Sequence, residues 1–141
     1  MKQKFNTSWK ASKQPRKQRK YRANAPLHVK KKFVSVSLSK ELKNKYGRRN
    51  IQVRKGDTVK IMRGKFKGQK GKVTIVRLKT SKIAIENIQI KKIDGSKVNV
   101  FMQPSNLQIT ELYLDDKKRM EKLNKKKETE KKETKTKEKK E

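Results

Sequence analysis

Alternation of apolar and polar residues is clearest on either side of a short basic stretch near the middle of the chain. In Thr58–Met62 and in Lys72–Val76, every second residue is Val or Ile. A period of two places these residues on one face of a β-strand. The insert between the two segments, Arg63–Lys72, holds three glycines, five Lys or Arg residues and one aromatic residue. Because glycine permits positive φ, the pattern predicts a turn between two paired strands that presents positive charge.

Shorter apolar runs predict further strands on both sides of a second turn. Asp94-Gly95 is typical of a type I′ hairpin turn, and Pro104 suits a strand end because it lacks an N–H donor. The predicted strands are Ile83–Ile85 and Ile88–Ile90, joined at Glu86-Asn87, then Lys97–Met102 and Leu107–Ile109. About five short strands between Ile51 and Leu114 predict a mainly β fold, a small barrel that leaves few strand edges exposed.

Two short helices are predicted before these strands. Asn24 and Pro26 are typical of a helix start, which places one helix near Ala25–Lys32 with Leu27 on one face. Ser39 is an N-cap candidate for a second helix over Lys40–Tyr46, which Gly47 would end.

The net charge of the chain indicates the class of partner that it binds. The 141 residues include 44 Lys or Arg and 13 Asp or Glu, a formal net charge of +31. Such a charge opposes compaction unless a polyanion neutralises it, which favours nucleic acid. No segment is apolar enough for membrane insertion, and the N-terminus lacks the apolar region of a signal peptide. The absence of cysteine excludes a disulfide framework.

Charge runs divide the chain into four parts. We expect a basic extended arm over 1–23, a short helical segment over 24–50, the barrel over 51–114 and a charged tail over 115–141. Thirteen Lys and Arg residues, and no acidic residue, precede Glu41. The arm is interpreted as an RNA contact, with Trp9 or Tyr21 stacking on a base; a solvated tail or a localisation signal is the alternative.

The charged tail is predicted to begin with a short helix and to continue in one of two ways. Asp115-Asp116 predicts the cap of a short helix with Met120 and Leu123 on one side. Beyond it, the tail is either disordered or a solvated helix held by pairs such as Glu128–Lys132.

Catalytic and cofactor-binding motifs are missing from the sequence. A phosphate-binding P-loop needs a glycine five residues before the Gly-Lys pair, where this chain has Phe66 before Gly71-Lys72. Val73 also stands where the motif needs Ser or Thr. His28 is the sole histidine, so no histidine cluster can bind a metal. We expect neither an enzyme nor a cofactor.

The central hairpin also resembles the KOW motif of ribosomal proteins and transcription elongation factors, and three flanking segments narrow the choice. They are Arg16–Arg19 with Asn24–His28, then Leu38–Leu42 with Lys45–Gly47, and finally Asp94-Gly95 followed by Pro104–Thr110 and Leu114–Asp116. In this order, together with the hairpin, they resemble the universal large-subunit ribosomal protein twenty-four family, in its archaeal and eukaryotic branch and closer to the archaeal type. The resemblance covers about Lys13 to Arg119.

That resemblance implies an SH3-like barrel and a place in the cytoplasmic large ribosomal subunit. It further implies binding to the 5′ region of large-subunit rRNA, a role in early subunit assembly and a position beside the polypeptide exit tunnel. Partners would be large-subunit rRNA, neighbouring large-subunit proteins and factors that dock at the tunnel. The alternative is a KOW-domain transcription elongation factor or a general RNA-binding protein.

Candidate RNA-binding residues come from the arm, the short helices, the hairpin loop and, by the resemblance, the Pro104–Asn106 turn. They are Lys13, Arg16, Lys17, Arg19, Lys20, Arg22, His28, Lys30, Lys31, Arg48, Arg49, Arg54, Arg63, Lys65, Lys67, Lys70, Ser105 and Asn106.

Overall fold

A computed structural model of the chain describes residues 5–121, 123 and 124. Its helices are α1 (Pro15–Asn24), α2 (Leu27–Phe33) and α3 (Lys40–Tyr46), with 3₁₀ turns at Thr7–Ala11 and Pro104–Asn106. Its strands are β1 (Ser35–Leu38), β2 (Asn50–Gln52), β3 (Thr58–Ile61), β4 (Lys70–Arg77), β5 (Lys82–Lys91), β6 (Lys97–Met102) and β7 (Leu107–Glu111). Residues 117–121, 123 and 124 are helical and form the C-terminal helical segment.

The seven strands form one sheet in the order β2-β1-β7-β3-β4-β5-β6. All neighbouring pairs are antiparallel except β1 and β7, which run parallel. The β3–β4 hairpin is the one predicted from the alternating segments, with Thr58 opposite Lys72 and Lys60 opposite Lys70. The predicted mainly β, barrel-like fold is confirmed.

The core is a single cluster of aliphatic side chains enclosed by the curved sheet. It draws buried residues from β1, β3, β4, β5 and β7, and from the segments that enter β1 and follow β2. The alternating residues predicted to face inward, Val59, Ile61 and Val73, are all buried, whereas Ile75 is 42% exposed. Burial of these side chains provides the main free energy that holds the sheet together.

The second predicted helix is confirmed together with both of its caps. The Ser39 hydroxyl accepts a hydrogen bond from the Leu42 N–H (3.4 Å), and Gly47 ends α3 with φ of +60°. Tyr46 is buried, and Leu42 packs against the core. The first predicted helix corresponds to α2. Its first residue, Leu27, is 71% exposed and therefore does not contribute to the core.

The arm differs from the extended chain that its composition predicted. Residues Pro15–Asn24 form α1, with Pro15 in the first turn. Lys, Arg and Gln are good helix formers, and proline is favoured at a helix start. The segment has too few apolar residues to show a helical period in hydrophobicity. The intrinsic helix propensity of its Lys, Arg and Gln residues still favours the helix.

The sheet also differs from the prediction in two places. It begins at β1, before the predicted barrel start at Ile51, because Val36 and Leu38 alternate with serines and are buried. Glu86-Asn87 does not join two strands: β5 runs through it, and its register with β6 shifts between Ala84 and Gln89. Asn87 takes φ of +63°, which asparagine tolerates, so the polar pair marks a bulge rather than a turn.

The predicted C-terminal cap is also confirmed. The Asp116 carboxylate accepts a hydrogen bond from the Lys118 N–H (2.9 Å), and Leu123 is fully buried. The predicted Glu128–Lys132 pair lies outside the described residues.

Candidate nucleic-acid interface

The β3–β4 loop is a tightly hydrogen-bonded platform for three exposed cations. The Lys67 N–H donates to the Gly64 carbonyl (3.0 Å), and the Gly68 N–H donates to the Ile61 carbonyl (2.8 Å). Gly64 and Gly68 both have φ of +92°, which side chains other than glycine rarely adopt. Phe66 packs against the core and anchors the loop from beneath. The exposed cations of the loop are Arg63, Lys65 and Lys67, and exposed Lys70 begins β4.

The loop lies beside the Pro104–Asn106 turn, which is distant in sequence. The Met62 N–H donates to the Asn106 carbonyl (2.8 Å), and Ile61 pairs with Leu107 across the β3–β7 ladder. Backbone hydrogen bonding therefore fixes the basic loop and the turn as neighbours.

A groove of about 350 Å³ extends this surface from the turn toward the segment that follows α3. Arg49 and Asn50 line one part of it, and Ser105 lines another. No described residue that lines the groove is acidic. Two candidates from separate segments, Arg49 and Ser105, therefore share one groove.

A second cavity, of about 260 Å³, gathers cations behind β2. Lys31, Arg48, Arg54 and Arg119 all line it. Two of these cations already have carboxylate partners, since Arg54 pairs with Asp116 and Arg119 with Asp57. Of the four, only Arg119 is absent from the candidates predicted from the sequence, because a lone arginine in a charged tail has no pattern that distinguishes it.

Helix α1 lies against the turn between β4 and β5. Arg19 and Arg22 line a cavity of about 290 Å³ together with Lys79–Ser81 and Gln103. No acidic residue lines this cavity among the described residues. Lys79 was not predicted from the sequence, although it is a basic residue in a short turn between predicted strands, which is a signal for such a site.

The remaining arm cations lie in α1 or in the segment just before it. Lys13, Arg16 and Lys20 are exposed and Lys17 is partly exposed, and these four line none of the cavities described above. His28 is also exposed and lies beside a cleft between α1 and α2, whereas Lys30 is only partly exposed. The structure therefore brings the candidates together in groups and not into one continuous site.

Metal binding and membrane crossing receive no support from the described part of the chain. Residues 5–121, 123 and 124 contain no cluster of three or more His, Cys, Asp or Glu residues that would hold a metal ion. Within the same residues, no helix has both the length and the apolar character needed to cross a membrane.

Comparison with known families decides among the classes that share the KOW hairpin. Residues 12–126 match the family described as the ribosomal proteins L26 of eukaryotes and their archaeal counterparts of the L24 type. The chain belongs to this family.

Three archaeal relatives are about half identical to the chain. The large ribosomal subunit protein uL24 of Methanosphaera stadtmanae is 50% identical over 114 residues, which cover 81% of this chain and 97% of that protein. The protein of the same name from Methanoculleus marisnigri is 49% identical and covers 79% and 93%. That from Methanosarcina barkeri is 48% identical and covers 81% and 98%.

Membership of this ribosomal family confirms the resemblance drawn from the separated motifs, including its archaeal type. The family is one of ribosomal proteins and not of enzymes, as the absence of catalytic motifs predicted. The match extends beyond the sheet to α1 and to the C-terminal helical segment that carries Arg119.

Proposed function

We propose that the chain is a structural constituent of the cytoplasmic large ribosomal subunit and binds large-subunit rRNA. Three of its surfaces would contact RNA: α1 with the β4–β5 turn, the β3–β4 loop with the Pro104–Asn106 turn, and the groove that contains Arg49. Relatives about half identical over most of their length carry the name of a large-subunit protein.

One observation carries the proposal: basic segments distant in sequence meet on surfaces where no described residue contributes a carboxylate. The bond between Met62 and Asn106 joins the basic loop to the Pro104–Asn106 turn, and Arg49 shares a groove with Ser105. Charges gathered in this way repel one another unless phosphates lie between them.

The mechanism follows from the chemistry of the contacts. Lys and Arg side chains neutralise phosphates and release condensed counterions, which supplies affinity with little dependence on sequence. The narrow major groove of A-form RNA is closed to side chains, so shape and backbone contacts select the site. The rigid β3–β4 loop suits recognition of shape, because its backbone conformation is fixed before RNA binds.

Family membership supports the finer assignments, which belong to the same proposal. The rRNA contact would lie in the 5′ region, the protein would join the subunit early in assembly, and it would lie beside the polypeptide exit tunnel. Neighbouring large-subunit proteins and factors that dock at the tunnel are then further partners.

Sedimentation of cell extracts tests the proposal against its rivals. We expect the protein to migrate with the large subunit and to detach only at high salt. Recovery with RNA polymerase or with bulk DNA would instead support an elongation factor or a general nucleic-acid-binding protein and would refute the ribosomal assignment.

Neutralising the cations of the β3–β4 loop tests whether this surface binds rRNA. The triple variant Arg63→Gln, Lys65→Gln, Lys67→Gln should weaken binding to a 5′-region rRNA transcript, because all three side chains are exposed on the loop. The matched control is Lys91→Gln, Lys92→Gln, Lys97→Gln on the β5–β6 hairpin, which removes the same charge from exposed positions outside the candidate surfaces. Equal losses in the two variants would show that only net charge matters.

A further inference from the structure

A cleft lined by aromatic side chains lies among the first 3₁₀ turn, α1 and α2. Its volume is about 700 Å³, within the range of pockets that hold small organic groups. Trp9 and Tyr21 line it, and Phe33 closes it at the end of α2. Of the residues that line it, only Arg22 also belongs to an RNA surface described above, and none of the three rings does.

The rings form one continuous wall and one separate face. Tyr21 contacts Phe33, with ring centroids 6.0 Å apart and planes at 60°, and Phe5 packs on Tyr21 at 5.1 Å. Trp9 has no ring partner among the aromatic contacts of the described residues. Trp9 lines the cleft and is only partly buried, so part of its indole is accessible to a ligand.

Hydrogen bonds join the 3₁₀ turn on one side of the cleft to α1 on the other. The Ser12 N–H donates to the Trp9 carbonyl (3.2 Å), which ends the 3₁₀ turn. The Gln18 side-chain amide of α1 donates to the Ser12 carbonyl (2.6 Å). These bonds fix the turn that carries Trp9 to the helix that carries Tyr21.

Positive charge surrounds the cleft. Lys10, Arg22 and Lys32 line it, and none of the described residues that line it is acidic. The Arg22 guanidinium lies 5.9 Å from the Phe33 centroid, and Lys20 Nζ lies 6.0 Å from that of Trp9. A planar ligand that enters between the rings would therefore have cations available for an attached phosphate.

We propose that this cleft binds an unpaired nucleotide of RNA, with its base stacked against Trp9 or the Tyr21–Phe33 wall and its phosphate at the basic rim. The proposal rests on the RNA binding proposed above and adds a site that recognises a base instead of the backbone alone. Unpaired bases splayed from RNA stack on aromatic rings and on guanidinium planes, both of which this cleft supplies.

A paired base or an acidic peptide fits the same features less well. A base inside a duplex keeps both faces stacked on its neighbours and has no face left for Trp9. An acidic peptide would satisfy the cations but has no planar group to cover the indole. The combination of rings and cations therefore favours a single-stranded nucleotide.

Trp9 is the sole tryptophan of the chain, so its fluorescence reports directly on the cleft. We expect short oligouridylate and oligoadenylate strands to quench this fluorescence in the full-length protein. An abasic ribose-phosphate strand of equal length and charge should bind through the cations and leave the fluorescence nearly unchanged. Trp9→Ala should lower affinity for the oligonucleotides about tenfold, the scale of one lost stacking contact, while Trp9→Phe should lose less.

A second variant separates loss of the ring from loss of the fold. Tyr21→Leu keeps an apolar residue in α1 and should also weaken binding of the base-bearing strands, with the helix content measured by circular dichroism. The matched control Phe101→Leu removes an aromatic ring from β6, outside the cleft, and should leave this affinity unchanged.

Four results distinguish failure of this inference from failure of RNA binding itself. Equal quenching by abasic and base-bearing strands, or unchanged affinity in Trp9→Ala, would refute the base site while leaving phosphate binding intact. Fluorescence that responds to large-subunit proteins and not to RNA would assign the cleft to a protein partner and refute the proposal. Failure to bind duplex, single-stranded and abasic strands alike would contradict both proposals.

Discussion

The guanidinium of Arg119 and the carboxylate of Asp57 form a bidentate ion pair that is withdrawn from solvent. Nη1 lies 2.7 Å from Oδ1 and Nη2 lies 2.8 Å from Oδ2, while the two residues are 4% and 0% exposed. Asp57 also accepts the N–H groups of Arg54 and Tyr113, and Arg119 donates to the Tyr113 carbonyl. The pair thus links the loop before β3 to the C-terminal helical segment, which lies beyond the sheet.

Removal of one partner of this pair should strongly destabilise the RNA-free protein. Asp57→Asn leaves the Arg119 guanidinium buried without a counter-charge, and we expect the free energy of unfolding to fall by about 3–5 kcal/mol. Chemical denaturation measures the change. Asp116→Asn, which breaks the partly exposed pair with Arg54, is the matched control and should cost much less. Similar losses in the two variants would show that burial does not set the contribution of the pair.

The ion pair between Arg54 and Asp116 should affect the pKa of the Asp116 carboxyl. The hydrogen bond from Arg54 lowers the pKa of the Asp116 carboxyl, and the Lys118 N–H lowers it further. A lowered folded-state pKa means that this contribution to stability is complete above the unfolded value of about 3.9. It is lost as the pH falls through the folded value. In Arg54→Gln, we expect the Asp116 pKa measured by NMR to rise toward its ordinary value.

Asp94 provides the internal control for that titration. Hydrogen bonds from the Ser96 hydroxyl (2.6 Å) and N–H (2.8 Å) lower the pKa of Asp94 in the β5–β6 turn. Arg54 takes no part in this turn, so the Asp94 pKa should be the same in the variant. An Asp116 pKa that stays low in Arg54→Gln would mean that the arginine is not its cause.

Gly71 is required by the close approach of β5 to β4. A Cβ atom at this position would lie 2.7 Å from Ile85 Cγ2 and 2.9 Å from the Glu86 carbonyl oxygen. The carbonyl belongs to the backbone and cannot move aside without disturbing the bulge. We expect Gly71→Ala to lower the free energy of unfolding by about 1–3 kcal/mol, as overpacked cores do. Lys70→Ala, at the exposed neighbour in the same strand, should have little effect; equal stabilities would refute the steric requirement.

The sequence predicted those parts of the fold whose signals are local. The β3–β4 hairpin has alternation and turn glycines, and α3 has Ser39 before it and Gly47 after it, so both could be found without any tertiary contact. The bulge at Asn87 could not, because a polar pair between apolar runs has the same pattern whether the chain turns or bulges. Strand β1 was missed because four residues provide too short an alternation.

The basic segments that form the candidate surfaces could be predicted from the sequence, but their arrangement in space could not. Lys and Arg content identified the arm and the loop, whereas the proximity of Arg49 to Ser105 depends on the parallel pairing of β1 with β7. Asp57 lies in a turn before β3, yet its ion-pair partner Arg119 lies 62 residues away. Nothing in the local sequence of Arg119 distinguishes it from the neighbouring cations of the charged tail.

The contribution of α1 can be measured through the salt dependence of rRNA binding. With about eight phosphate contacts, log K should fall with log salt at a slope of roughly −6 to −7. Arg19→Gln combined with Arg22→Gln removes two cations of the cavity shared with Lys79. We expect the slope to become shallower by about 1.5, because each lost phosphate contact removes roughly 0.7–0.9.

Glutamine is a suitable replacement for these arginines, since it is a good helix former and α1 buries none of its residues. The control Lys91→Gln with Lys92→Gln removes equal charge from the β5–β6 hairpin and should keep the original slope. A slope that changes equally in both variants would mean that the RNA senses the net charge of the protein and not the position of α1. A nearly flat response of the unaltered protein would rule out phosphate neutralisation as the source of affinity.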